Sequence, residues 1–438
     1  MKILSREQIN EHFMQKRNTT LKYDGTSKPR VGHLVECELS SGETTLLIGM
    51  KQQAGGTGGE YVNSITKSIS AAHPNLLKGI QNTMTDRATV NTCIDKKLSE
   101  HTNENINSFR CGMHPLDTLA KSCDRALKEN ETPGHHPRLF KRRGESSVSC
   151  LLRKAADLFH NAATGCAIEL TSYLKSVNCP FTTLPRWVGN RFNILFDSAK
   201  CILSMTPYLL NYFRKVSKPT NDLQSVVYQY LQCPHMQSSL LCLAAISTRI
   251  TQPWMEMINV AENILSTNAM YQNAVEKMVS WKEEPREMLD VNSESAIFAE
   301  VKPEQRSFLL NRDEDELSAA CPTLQKMLHE CITVCKRQLT DQLEGGLFWQ
   351  PSDELLETAS SCSATNISGE RQFAKADSLL NKARNISVAK LESKLMFSAN
   401  NTSDWLQSKS VDERKEKILL AMRKGKSVRE EDRKQKET

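Results

Sequence analysis

No run in this 438-residue chain is long and apolar enough to cross a bilayer as a helix, and no hydrophobic segment follows Met1-Lys2-Ile3-Leu4. Neither a membrane-spanning protein nor one led by a signal peptide is therefore expected. Charge of one sign is also scarce: 57 Lys and Arg against 51 Asp and Glu leave a net charge of +6. That balance favours an anionic partner but falls short of a strongly basic nucleic-acid binder. Internal repeats and heptad arrays are missing, which excludes a solenoid or a long coiled coil. The 14 cysteines are scattered rather than spaced as a disulfide framework, and they read as reduced intracellular thiols. The sequon Asn18-Thr19-Thr20 then carries no meaning, and nucleus or cytoplasm is left as the compartment.

What is present is a strand-rich beginning followed by a long helical block. Val31, His33, Val35, Cys37 and Leu39 alternate with Gly32, Leu34, Glu36 and Glu38, close to the period of a strand. Ser40-Ser41-Gly42 turns the chain into a second apolar run, Thr44 to Met50, and Lys22-Tyr23-Asp24 precedes them as a first strand. Gly55-Gly56-Thr57-Gly58-Gly59 makes a flexible break before Val62, Ile65 and Ile69 at helical spacing. Ile80 to Met84 predicts a fourth strand ending at Asp86, Val90 to Leu98 a helix, and Ile106 to Cys111 a fifth strand. After Pro115 the patterning is almost entirely helical, as in Leu151, Ala155, Leu158 and Phe159. Pro303 to Glu316 is polar and expected to be exposed, and the helical block ends near Gly345-Gly346. Phe373, Ala376, Leu380 and Val388, Leu391, Leu395 then mark two amphipathic helices. Past Trp405 a charged tail, mobile or singly helical, is expected.

A length of 438 residues exceeds one ordinary core, and one interrupted domain is the preferred reading. The order β-β-β-α-β-α-β is that of an RNase H-like fold, which puts Asp24 on the first strand and Asp86 at the end of the fourth. Widely separated carboxylates are acceptable chemistry for cutting or joining phosphodiesters. Two Mg²⁺ ions about 3.5–4 Å apart can polarise phosphorus, activate water or a 3′-hydroxyl and stabilise the leaving oxygen, and Mg²⁺ asks only for a few oxygen ligands.

In order along the chain stand Tyr23-Asp24-Gly25-Thr26, Thr85-Asp86-Arg87-Ala88 with Asn91, Arg110-Cys111-Gly112-Met113-His114, and Gly369-Glu370-Arg371-Gln372-Phe373 followed by Lys382-Ala383-Arg384-Asn385. That series, from Asp24 to Trp405, resembles the hAT superfamily of DNA transposases. The resemblance implies an α/β protein: an RNase H-like catalytic core interrupted by a large all-α insertion, with a C-terminal helical dimerisation region. The expected divisions are 1–114 for the first part of the core, 115–346 for the insertion, 347–408 for the rest of the core with the dimerisation region, and 409–438 for the tail.

By motif match the catalytic and metal-holding residues become Asp24, Asp86 and Glu370, with Mg²⁺ or Mn²⁺ as the implied cofactor. Gly369 departs from the serine usual in the family. Cys111-x-x-His114 resembles the family's Cys-x-x-His. Lacking a second convincing ligand pair it is not expected to hold zinc, and His114 is read as contacting DNA or a catalytic carboxylate. Leu184 to Asn193 resembles the family's Arg-Trp-Asn motif, whose aromatic is implied to stack on a flipped base. Two registers stand open there: Arg186-Trp187, which preserves the aromatic, and Arg191-Phe192-Asn193, which preserves the asparagine. Arg138, Lys141, Arg142 and Arg143 form a basic loop suited to phosphates. Phe373, Leu380, Leu391 and Leu395 are expected to carry self-association.

The implied activity is metal-dependent DNA cleavage and strand transfer in the nucleus, with DNA and a second copy as partners and no membrane. The chain begins about two dozen residues before Asp24 and is expected to lack the BED-type finger by which such proteins find DNA. The alternative is therefore a transposase-derived module that binds DNA or protein without cutting.

Overall fold

The computed structural model describes residues 1–16, 18–131, 140–187, 192–310 and 312–437, the side chains only to 425. In chain order it runs α1 (Lys2–Phe13), β1 (Thr19–Lys28), β2 (Gly32–Ser41), β3 (Thr44–Gln53), α2 (Gly58–Ala72), β4 (Ile80–Thr85), α3 (Thr89–Thr102) and β5 (Asn107–Arg110). Nine longer α-helices follow among the described residues: α4 (His114–Glu129), α5 (Ser147–His160), α6 (Ala167–Ser176), α7 (Ile194–Asn211), α8 (Asp222–Gln232), α9 (Pro234–Ile246), α10 (Gln252–Val260), α11 (Asn268–Glu283) and α12 (Glu314–Gln338). The chain closes with α13 (Asp353–Ala359), α14 (Ile367–Lys382), α15 (Val388–Ala399), α16 (Thr402–Gln407) and α17 (Val411–Glu437). These elements form two units. The first comprises Met1–Gly112, Ala261–Thr267 and Gln350–Thr438; the second comprises Met113–Val260 and Asn268–Trp349.

In the first unit the strands make one mixed five-stranded sheet, ordered β3-β2-β1-β4-β5. The β2–β3 hairpin closes through Gly42 at φ +57, with Ser41 opposite Thr44. A positive φ at the tight turn is what a glycine supplies there. β4 lies parallel to β1 on the other side, and β5 parallel to β4. The glycine-rich stretch before α2 ends in a capping box, in which Thr57 and Glu60 satisfy each other's first-turn amides.

Expected alternation along β2 is only half of what is found. Leu34, Glu36 and Glu38 are as buried as Val35, Cys37 and Leu39, because the sheet is covered on both faces. α2 and α3 pack Ile65, Ile69, Ile94 and Leu98 into one common core with Leu21, Tyr23, Val35 and Leu39. The returning chain lays α14 on β1 and β2, and α15 on β3.

β3 is an edge strand, and its outward groups are taken. The Asn400 side chain accepts from Leu47 N–H at 2.7 Å and donates to Leu47 C=O at 2.9 Å, imitating a neighbouring strand. An edge capped at its middle in this way is a poorer template for another chain. Beside it, Glu392 is held by Lys2 at 2.7 Å and Lys51 at 3.0 Å.

The second unit is helical apart from one bridge, Ser295 to Glu300, among the described residues. Its α9 runs into a wide turn, Ser247–Thr251, that buries Arg249. That guanidinium donates to the carbonyls of Met288, Asp290, Ser293 and Ser295 at 2.6–3.0 Å, so four backbone acceptors of an irregular segment converge on one cation. Burial, with Arg306 nearby, lowers its pKa to about 10, which leaves it charged at neutral pH. The segment expected to be exposed from Pro303 instead forms a short 3₁₀ helix, Pro303–Leu309, that buries Phe308 and Leu309.

Candidate active site

β1 and β4 are parallel neighbours whose last pair is Lys22 with Met84. Two residues beyond Lys22, Asp24 lies on the same face of β1, and Asp86 follows the last residue of β4. Asp24 Oδ1 accepts from Gly25 N–H at 2.6 Å. Asp86 lies just past β4, where its Oδ1 accepts from Ala88 N–H at 3.0 Å and from the Asn91 side chain of α3. Both charges act on Tyr61, whose pKa is pushed up to about 12, first by burial and then by Asp24 and Asp86.

Tyr61 also explains the glycine of the Asp-Gly pair. A Cβ on residue 25 would meet the Tyr61 hydroxyl at 1.7 Å, so any side chain there displaces the ring. The same hydroxyl lies 2.9 Å from His33 Nε2. Tyr61 and His33 thus belong to the surroundings of Asp24, although sequence reasoning gave them no role.

Glu370 arrives in the first turn of α14, and the residue before it fixes how that helix lies. A Cβ at Gly369 would stand 2.7 Å from Glu36 Oε2, so the glycine lets the helix rest directly on that carboxyl group. Glu36 is the cross-strand partner of Asp24, and Glu38 that of Lys22. Both glutamates are 1% exposed. Burial, then the neighbouring Glu38 and Asp24, raise Glu36 far above the carboxylate range, against the pull of Lys22. Gln372, one turn beyond Gly369, donates to Glu38 Oε1 at 3.4 Å.

The donor chemistry of Asp24, Asp86 and Glu370 suits a hard cation. Among the described residues no three His, Cys, Asp or Glu side chains are grouped so that they could hold a metal ion.

The remaining candidates are distributed as follows. Cys111 is buried in the first unit, where its Sγ accepts from Asn366 N–H at 3.4 Å and pins the segment leading into α14. In the second unit His114 opens α4, and its ring meets Phe192 edge to face at 5.4 Å. Arg186 is exposed and Trp187 half-buried, whereas Arg138 and Arg191 lie outside the described residues. Lys141 is engaged by Glu131 and Ser147, leaving Arg142 and Arg143 as the exposed members of the basic loop. Phe373, Leu391 and Leu395 lie in the core of their own unit, with Leu380 partly buried against it. Side chains in that position cover the sheet of their own unit.

No protein-family model matches the chain, and no curated protein is significantly similar to it.

Proposed function

We propose that the first unit is an RNase H-like core of transposase descent, acting on DNA phosphodiesters at the sheet face that bears Asp24, Asp86 and Glu370. The observation that carries this reading is that Asp24 on β1 and Asp86 just past the end of β4 belong to adjacent parallel strand paths, with α14 packing on the same sheet. The strand order β3-β2-β1-β4-β5 supports it. A divalent ion bound there would supply phosphorus polarisation and an activated water. Asp24 sets negative charge on β1 and Asp86 just past the end of β4, Asn91 holds Asp86 in place, and the Gly369 contact sets where Glu370 enters.

A nicking assay on hairpin and element-end DNA with Mg²⁺ or Mn²⁺ tests the proposal. Cleavage by the wild type, abolished by Asp24→Asn, by Asp86→Asn and by Glu370→Gln with the fold intact, is the expected result. Wild-type rates in any of the three variants would remove that residue from the site.

The second reading is a transposase-derived module that binds DNA without cutting it, through exposed cations such as Arg142 and Arg143. Salt-dependent DNA binding by a wild type that never nicks would select this reading over the first.

A further inference from the structure

Buried polar groups in folded proteins nearly always find a partner, and exceptions concentrated in one place call for an explanation. Under the first turns of α14, Glu36 Oε1, Glu38 Oε2, Gln372 Oε1, Ser368 Oγ and both polar atoms of Asn366 are buried without a hydrogen-bond partner. Glu36, Glu38 and Asn366 are at most 2% exposed and Gln372 is 8% exposed. The two glutamates alternate on one face of β2, and their carboxyl groups reach each other. Gln372 is aimed at the pair through its amide, whose nitrogen bonds Glu38 Oε1 while its oxygen is left over; turning the amide over presents that oxygen to the carboxyl groups. All but one of these orphaned atoms are oxygens, and carboxylates facing one another are acceptors with nothing to accept.

Charge points the same way. Lys22 is the cation paired across from Glu38, against the two buried carboxyl groups of Glu36 and Glu38 on the same face. When both glutamates are ionised, negative charge exceeds positive among these three buried side chains.

We propose that Glu36, Glu38 and the side-chain oxygen of Gln372 form a binding site for a hard divalent cation, with Ser368 and Asn366 at its margin. Oxygen donors of mixed carboxylate and amide type are what such ions take, and one divalent ion matches the charge of the two glutamates. The site is distinct from the Asp24, Asp86, Glu370 grouping and does not depend on DNA cleavage. Its ligands come from one strand and one helix that lie more than three hundred residues apart in the chain, so the ion would join α14 to the sheet.

The test uses the full chain, freed of metal by chelation and titrated with Mg²⁺, Ca²⁺ or Mn²⁺ alone, followed by thermal melting and calorimetry. The expected result is a rise in Tm of about 5 °C near saturation. The rise should persist in Asp86→Asn and Glu370→Gln and vanish in Glu36→Gln and Glu38→Gln. Gln372→Leu removes one neutral ligand and disturbs folding least, and it should weaken affinity by about tenfold to a hundredfold. No effect of any of the three ions on the wild type would overturn the proposal, since the pair would then be sharing a proton. A shift lost in Asp86→Asn and Glu370→Gln but kept in Glu36→Gln would also overturn it, placing the ion at the outer carboxylates and leaving the nuclease reading intact.

Discussion

Two buried carboxylate sites in the first unit face the same desolvation cost and meet it in opposite ways. Glu392 is 3% exposed, and Glu36 is 1% exposed. At Glu392 burial pushes the pKa up, but Lys51 and Lys2 outweigh it and hold the group below the usual carboxylate range. At Glu36 the neighbours are Glu38 and Asp24, and they add to the effect of burial. One site is a closed ionic clasp joining α1, β3 and α15; the other has carboxyl oxygens without donors. Burial alone therefore does not distinguish a structural carboxylate from a candidate ligand. The sign of the surrounding charge and the count of unmet acceptors do.

The comparison breaks most visibly at Glu392. Glu392→Ala leaves Lys2 and Lys51 near each other without a counter-charge and should cost about 3–5 kcal/mol, as removal of one partner from a buried ion pair does. Because the folded-state pKa is depressed, its stabilisation is present above the unfolded value of about 4.3 and is lost as pH falls through the folded value. Urea melts at stepped pH should show wild-type stability declining on acidification toward that of the variant.

Next in size is Gly25→Ala, which drives a methyl group into the Tyr61 hydroxyl and should cost about 1–3 kcal/mol through overpacking. Tyr61→Phe in the same background should recover part of the loss. If Gly25→Ala melts with the wild type, the close approach of Tyr61 to Asp24's neighbour is wrong.

Gly369→Ala should lose less, because the gain in helix propensity, up to about 1 kcal/mol, offsets part of the clash with Glu36. Coupling to Glu36→Ala sharpens the point. The double variant should be more stable than the sum of the singles predicts, by about 0.5–3 kcal/mol, as for residues in direct contact. Additive effects would mean that Gly369 does not rest on Glu36.

The smallest expected change is at Glu36 itself. With divalent ions chelated, its raised pKa means that the folded state holds the proton longer. Stability is then fullest below about pH 4.3 and falls as pH rises toward the folded value. Glu36→Gln, already neutral, should melt no lower than the wild type at pH 7, within about 1 kcal/mol, and should gain on it as pH rises. A large loss would show that Glu36 is ionised and paired, as Glu392 is.

Sequence by itself determined the local elements. Period-two alternation and the Ser41-Gly42 turn specified the β2–β3 hairpin, and helical spacing marked α3, α14 and α15, because both signals live within a few residues of backbone geometry. The strand order placed Asp24 on β1 and Asp86 at the end of β4, and Asp86 follows the last residue of that strand. The position of Glu36 opposite Asp24 is latent in the β1–β2 register. What only the tertiary structure decided is what covers each face. Glu36 and Glu38 read as the polar side of a half-exposed strand until α14, 334 residues from Glu38 at Gln372, closes over them. The stripes of Phe373, Leu391 and Leu395 read as an interface until the sheet they cover is in place. Burial is set by whichever distant segment packs on a surface, and no periodicity within a strand or helix records that partner.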